Sequence, residues 1–304
     1  MDRDKIISQM DELYTVQEKH LKEEAIKLEA INGSVMPKTY VGKAYGQNEF
    51  QGMKIPRILV FSINQSRRGQ DDLSEEEVRQ SMRGVKRDKQ GRHLPNGFGP
   101  RALAANLCRW ILIQCGVNEK QISPEDIHNL IAYDNFVKWP FNTNNSEPPT
   151  AAWPIFHDIN RMAMGILEPQ IILCLGKTPY DRLWEAVKNR DGYACESNVP
   201  GWAFSLVGPW GRCEFGACYH YSNPISPNRA WKKLRVDGEI PKNSMRLLAS
   251  KKTEANELVQ RIREIEKKPW WTDEYAGKAY TQYNPYQKFV AWHVCQTLTK
   301  RWIA

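Results

Sequence analysis

The sequence predicts an α/β fold: a three-layer α/β/α sandwich with a mainly parallel central sheet of about four strands, plus helical extensions at both ends. Two observations predict it. Short runs such as Ile58–Ile63 and Gln170–Leu175 are apolar at nearly every position, as expected of strands covered on both faces. Between them lie longer stretches whose apolar residues recur every three or four positions, as in helices packed along one side. Strands and helices alternating across residues 56–235 give a parallel sheet sandwiched between helices.

The elements follow in order. Ile6, Met10, Leu13, Leu21, Ala25 and Leu28 sit at helical spacing and predict an amphipathic helix over 3–31. A polar, glycine-containing stretch leads to the strand at 58–63. Residues 67–92 hold eight Lys/Arg and six Asp/Glu, with a short helix expected at 74–83, where Ser74 and Glu77 form a capping-box pattern. Leu103, Leu107, Trp110 and Ile111 predict a helix over 100–115. Residues 127–137 read as a second strand running into a loop. The Asn-, Ser- and Pro-rich 142–150 is a loop, and 153–167 returns to helix. The strand 170–175 closes at Gly176, with a helix starting near Pro179. Two short strands flank Gly208-Pro209-Trp210-Gly211 and end at Tyr219-His220. A helix at about 244–268 and an aromatic tail complete the chain. The domain reading is an N-terminal helical extension (1–55), an α/β domain (56–240) with a charged insertion (67–95), and a basic, aromatic-rich helical extension (241–304).

Composition narrows the function. No apolar run approaches the roughly 20 residues of a membrane span, and the charged N-terminus lacks the apolar centre of a signal peptide. Seven cysteines, an odd number without a C-x-x-C pair, read as reduced thiols. A cytoplasmic monomer is expected. The net charge of +8 and pI near 9.0 suit a polyanionic partner, although a basic surface also serves solubility alone. Neither a GxxxxGK[ST] loop nor a GxGxxG turn is present, which disfavours a nucleotide-binding enzyme. Tail aromatics such as Trp270, Trp271, Tyr275 and Tyr280 interleave with lysines; stacking on single-stranded bases and packing against the core are both open to them, and packing is favoured.

In such folds functional residues gather beyond the carboxyl ends of the strands. Here those places are Ser62–Ser66, Tyr133–Phe141, Leu175–Pro179 and His220–Arg229. Ser62-Ile63-Asn64-Gln65-Ser66 resembles the GINPG motif of mismatch-specific DNA glycosylases. Residues 96–103, from Asn96 through Phe98 to Leu103, resemble the GRPFVGRAG segment of thermostable uracil-DNA glycosylases. Tyr133–Pro140 is similar to their YITNVVKCRPP, and Glu168–Thr178 to the RPKVIVALGATA of the superfamily. Tyr219–Ser226 resembles the HPSPLS loop with one inserted residue. The five segments occur in the family's order. By resemblance the chain is identified as a member of the uracil-DNA glycosylase superfamily.

That resemblance implies roles. Breaking an N-glycosidic bond develops positive charge on the sugar and negative charge on the departing base, so dipoles placed at those positions accelerate it. His220 would stabilise the leaving base and Asn64 would orient the attacking water; these are the two catalytic residues. Asn135, Gln65 and Phe98 would bind the flipped base, Asn135 through its amide donor and acceptor and Phe98 by stacking. Ser66, Gly176, Lys177, Thr178, Ser222, Asn223, Ser226 and Arg229 would meet the DNA backbone, with N–H groups at the 176–178 helix start facing a phosphate. Ile225 would wedge into the base stack. Taken one at a time, Asn64 and Asn135 read as turn residues, His220 as a packed or capping histidine, Phe98 as core and Gly176 as a tight turn. The ordered series is what makes them a site.

The partner implied is double- or single-stranded DNA. No cofactor and no metal are expected. Trp139 stands where the thermostable relatives have an iron–sulfur cysteine, and Cys213, Cys218 and His220 lack a clear fourth ligand for zinc. Departures bear on the substrate: Gln65-Ser66 replaces Pro-Gly, Tyr221 replaces a proline, and the segment between Asn64 and Phe98 is longer than the family's connection. A bulky modified pyrimidine, such as a glucosylated base in phage DNA, is the expected target, with a role in antiviral defence. Plain uracil in base-excision repair is the main rival, and a non-catalytic DNA-binding module on the same scaffold is the alternative of another class.

Overall fold

The computed structural model describes residues 2–27, 39–63, 86–87, 93–94, 100–138, 149–196, 203–218, 257, 260–261, 263–268 and 285–304. Their centre is a seven-stranded sheet. Strands β1 (Tyr40–Val41), β4 (Ile58–Ser62), β7 (Ile131–Asn135), β8 (Ile171–Leu175), β9 (Ala194–Glu196), β10 (Ala203–Gly208) and β11 (Gly211–Cys218) form it in the order β1-β7-β4-β8-β11-β10-β9. Two small hairpins stand apart: β2 (Glu49–Phe50) with β3 (Met53–Lys54), and β5 (Lys86–Arg87) with β6 (His93–Leu94). The pairings β7–β4, β4–β8 and β8–β11 are parallel, whereas β1 on one side and β10 with β9 on the other join antiparallel. The parallel centre has the expected four strands and β10 is the other of the two strands expected around Gly208–Gly211, so the correction is a wider sheet, with β1 and β9 added as edge strands. Strands β1 and β9 are two and three residues long and partly exposed, so their apolar signal is weak.

All five residues of β4 and all five of β8 are buried, as continuous apolar runs require when helices cover both faces. Alternate side chains enter separate cores. Ile58, Val60, Ile171 and Leu173 join one core; Leu59, Phe61, Ile172 and Cys174 join the other. Helices α2 (Pro100–Gln114), α3 (Pro124–Leu130) and α6 (Pro285–Ile303) supply the first core through Leu107, Trp110, Ile127, Phe289 and Leu298. Helices α1 (Arg3–Lys27), α4 (His157–Leu167) and α5 (Lys177–Val187) supply the second through Ile6, Met10, Met164, Leu167 and Leu183. Both outermost helices therefore belong to the sandwich's layers. Helix α6 seats closely on β11: a Cβ at Gly216 would lie 2.7 Å from Leu298 Cδ1 and 2.8 Å from Val294 Cγ1. Glu214, also on β11 and buried, accepts from Arg301 Nε (2.7 Å), Arg212 Nε (2.7 Å) and Ser205 Oγ (2.6 Å).

Several expected boundaries shift. Residues 127–130 are the end of α3, not strand. Ser123 and Asp126 form a reciprocal capping box with Pro124 in the first turn, and this start signal outweighs the apolar run that suggested a strand. Residues 154–156 form a 3₁₀ turn before α4, and α5 begins at Lys177 rather than near Pro179. The described residues between 257 and 266 are helical. The helix expected at 74–83 lies outside the described residues. All seven cysteines are free thiols. Among the described residues no helix is long and apolar enough to cross a membrane.

Candidate functional site

Taken in chain order, the parallel strands β4, β7, β8 and β11 lie in the sheet as second, first, third, fourth. The chain leaves β4 toward one side to make β7, then crosses back over β4 to make β8. Between β4 and β8 the direction of winding reverses, and in such sheets ligands bind beyond the carboxyl ends of the strands at this kind of position. All four strands point the same way, so Ser62, Asn135, Leu175 and Cys218 end on one edge. Each is the threshold of a segment singled out in the sequence.

Asn135 is the last residue of β7 and half-buried. Its surroundings are held at every backbone step. Its N–H donates to Asp134 Oδ1 (2.7 Å) and its carbonyl accepts from Lys138 Nζ (2.7 Å). The N–H of Phe136 donates to Ser62 O and that of Val137 to Ile63 O, both at 2.9 Å. The Phe136 carbonyl accepts from Asn160 Nδ2 (2.8 Å). The β7 turn is thereby tied to the start of the loop after β4. The side-chain amide of Asn135 makes no hydrogen bond with the described residues.

Behind this turn lies an ion pair that sequence reasoning missed. Lys138 is fully buried and contacts Asp134 Oδ1 at 2.7 Å. Asp134 Oδ2 accepts from Thr39 Oγ1 (2.9 Å) and from the Tyr14 hydroxyl (3.2 Å), and the two hydroxyls also meet each other. The Tyr14 ring lies 5.7 Å from Lys138 Nζ, within range of a cation–π contact. Burial pushes the Lys138 ammonium below its ordinary range, with Asp134 opposing that shift. Burial and then the Asp134 charge push the Tyr14 phenol well up, keeping it a proton donor. The available signal was an Asp and a Lys four residues apart inside an otherwise apolar segment.

Gly176, after β8, has φ +110°, a conformation open to glycine at no steric penalty. Its N–H donates to Cys218 O (2.8 Å) and Cys174 O (3.1 Å). It therefore fastens β8 to the end of β11, and its N–H is engaged there rather than offered to a phosphate. Lys177 pairs with Asp181 one turn along α5. Thr178 follows in the same first turn. Cys213 and Cys218 are buried in opposite cores, because five residues along a strand reverse the face. They cannot ligate one ion together. Among the described residues no group of three metal-ligating side chains forms.

Asn64, Gln65 and Ser66 begin one residue after Ile63, and His220 stands two residues after Cys218. These, with Phe98, Ser222, Asn223, Ile225, Ser226 and Arg229, lie outside the described residues. The structure thus brings together Asn135, Gly176 and the thresholds of the Asn64 and His220 loops. No protein-family model and no curated protein matches the chain.

Proposed function

We propose that this protein is a DNA glycosylase of the uracil-DNA glycosylase superfamily that flips a nucleotide and hydrolyses the N-glycosidic bond of a bulky modified pyrimidine, leaving an abasic site. The observation that supports this reading is that β4, β7, β8 and β11 run parallel and end on one edge of the sheet, each end leading in sequence into one of the recognised segments. Helices on both faces complete the three-layer α/β/α sandwich that the reading requires.

The chemistry follows from the residue types. The base departs with the electron pair of the C1′–N bond, and the His220 imidazole donates a hydrogen bond to the oxygen where negative charge collects. Asn64 orients a water toward C1′; its amide is no strong base, and a dissociative transition state needs orientation more than deprotonation. The water's oxygen bonds to C1′ and its proton balances the departing base anion. Asn135 and Gln65 read the base edge, and Phe98 stacks on the ring. Residues 67–95 replace a shorter family connection that forms one wall of the base pocket, which favours a bulky base and a role against phage DNA.

The test incubates the purified protein with three duplexes containing glucosylated hydroxymethylcytosine, uracil or only unmodified bases, then treats each with alkali. Strand breaks confined to the glucosylated duplex are expected. Breaks in the uracil duplex alone would assign the protein to uracil repair. Binding without breaks in any duplex would leave a non-catalytic DNA-binding module.

A further inference from the structure

The buried group formed by Tyr14, Thr39, Asp134 and Lys138 has no counterpart in the chemistry above, yet it backs directly onto Asn135. Burying an ammonium and a carboxylate together is unfavourable unless both are well paired, and hydrophobic replacements of similar size often serve stability as well or better. Stability alone is therefore a weak reason for this arrangement. Its geometry is directional. Asp134 gathers four donors: the Asn135 N–H, the Lys138 ammonium, the Thr39 hydroxyl and the Tyr14 hydroxyl. Lys138 turns the charge back onto the Asn135 carbonyl, so both backbone polar groups of Asn135 are held by one ion pair. The next two residues then hydrogen-bond to Ser62 and Ile63, carrying the same order into the loop after β4.

We infer that Tyr14, Thr39, Asp134 and Lys138 are positioning residues, which fix the Asn135 amide and the Ser62–Ile63 backbone in the orientation needed to read an extruded base. This inference rests on the glycosylase reading for the identity of the ligand. It makes α1 and the segment leading into β1 functional parts of the site, although neither reaches the carboxyl edge of the sheet through Tyr14 or Thr39. Supporting groups of this kind matter because displacements near 1 Å at a reacting centre reduce rates by up to about a hundredfold. The tyrosine remains a donor because its phenol is pushed up by burial.

The experiment compares Tyr14→Phe, Thr39→Val, Thr39→Ser and Asn135→Ala, and Tyr14→Phe combined with Asn135→Ala, in the full chain. Two readouts are taken. Side-chain amide NMR signals of Asn135 are assigned by their loss in Asn135→Ala, and kcat and KM are measured on the duplex cleaved by wild type. Tyr14→Phe and Thr39→Val should broaden or double the Asn135 amide signals and lower kcat/KM about tenfold to a hundredfold. Thr39→Ser, which keeps the hydroxyl, should restore both. In the Asn135→Ala background Tyr14→Phe should have little further effect on kcat/KM, as expected when one residue acts through another. A purely structural role would instead lower thermal stability equally in both backgrounds. Unchanged Asn135 signals in Tyr14→Phe and Thr39→Val would overturn the inference, whatever the activity. A wild type inactive on every duplex would overturn the glycosylase reading, and the amide signals would then decide the ordering of Asn135 by themselves.

Discussion

Replacing Asn64 by alanine removes the group proposed to orient water, and replacing His220 by alanine removes the one proposed to stabilise the departing base. Each change should lower the single-turnover cleavage rate about tenfold to a thousandfold, while DNA binding in a gel-shift assay is largely retained. Equal rates in wild type and both variants would end these assignments. The place of Asn135 at a strand end was legible from the apolar run before it; the base-reading role proposed for it rests on the ordered series of motifs. Asp134 and Lys138 flank it and carry its support, and their spacing of four is the one local mark of the pair. Charged residues read as surface until their partners are known, and Tyr14 and Thr39 come from about a hundred residues away in sequence. Burial of an ion pair is a property of the assembled layers, which short-range periodicity does not report.

At the scale of elements, α6 offers two measurements. Valine at Gly216 would force Leu298 and Val294 away from β11, and overpacking of this kind costs about 1–3 kcal/mol. Denaturant unfolding should show that loss, and a smaller one for alanine. The second concerns His293, whose Nδ1 is buried without a partner among the described residues. Its ring stacks on Phe289 at 6.2 Å. Burial first, with Arg261 and Lys300 adding to it, holds its pKa down to about 4. The unfolded chain takes up this proton near pH 6.5 while the folded one resists it to about 4, so stability is full above that upper value and declines as pH falls between them. Melting temperatures across this range should fall less steeply in His293→Leu than in wild type. Strands β4 and β8 were legible because burial on both faces leaves an unbroken apolar run. The edge strands β1 and β9 were not, since two or three half-exposed residues leave no period to read. The α3–β7 junction misled for another reason: Ile127, Leu130 and Ile131 are apolar on both sides of a change from helix to strand.

Over the whole molecule, helix polarity favours the carboxyl edge of the sheet. Helices α4 and α5 open at the carboxyl end of the sheet, and α6 runs antiparallel to β11, as the contacts of Arg301 with Glu214 and of Val294 with Gly216 require. Their N-termini therefore carry partial positive charge toward that side. Combined with the excess of eight positive charges, this favours a phosphate backbone across that edge. If about six phosphates are contacted, affinity should weaken by about a thousandfold between roughly 50 and 200 mM salt. Fluorescence anisotropy with a short duplex checks this, and salt-independent binding would remove DNA from the account.

The seating of α6 on β11 also bears on how the molecule is made. Residues 219–284 separate the two in sequence, so a growing chain finishes its sheet well before the helix that shields Gly216 and Cys218 has been synthesised. Until then the flank of the sheet at β11 is bare, and a partly made chain depends on chaperones to keep that surface from aggregating. Chains cut short before that helix should expose this face and aggregate more readily than the full chain.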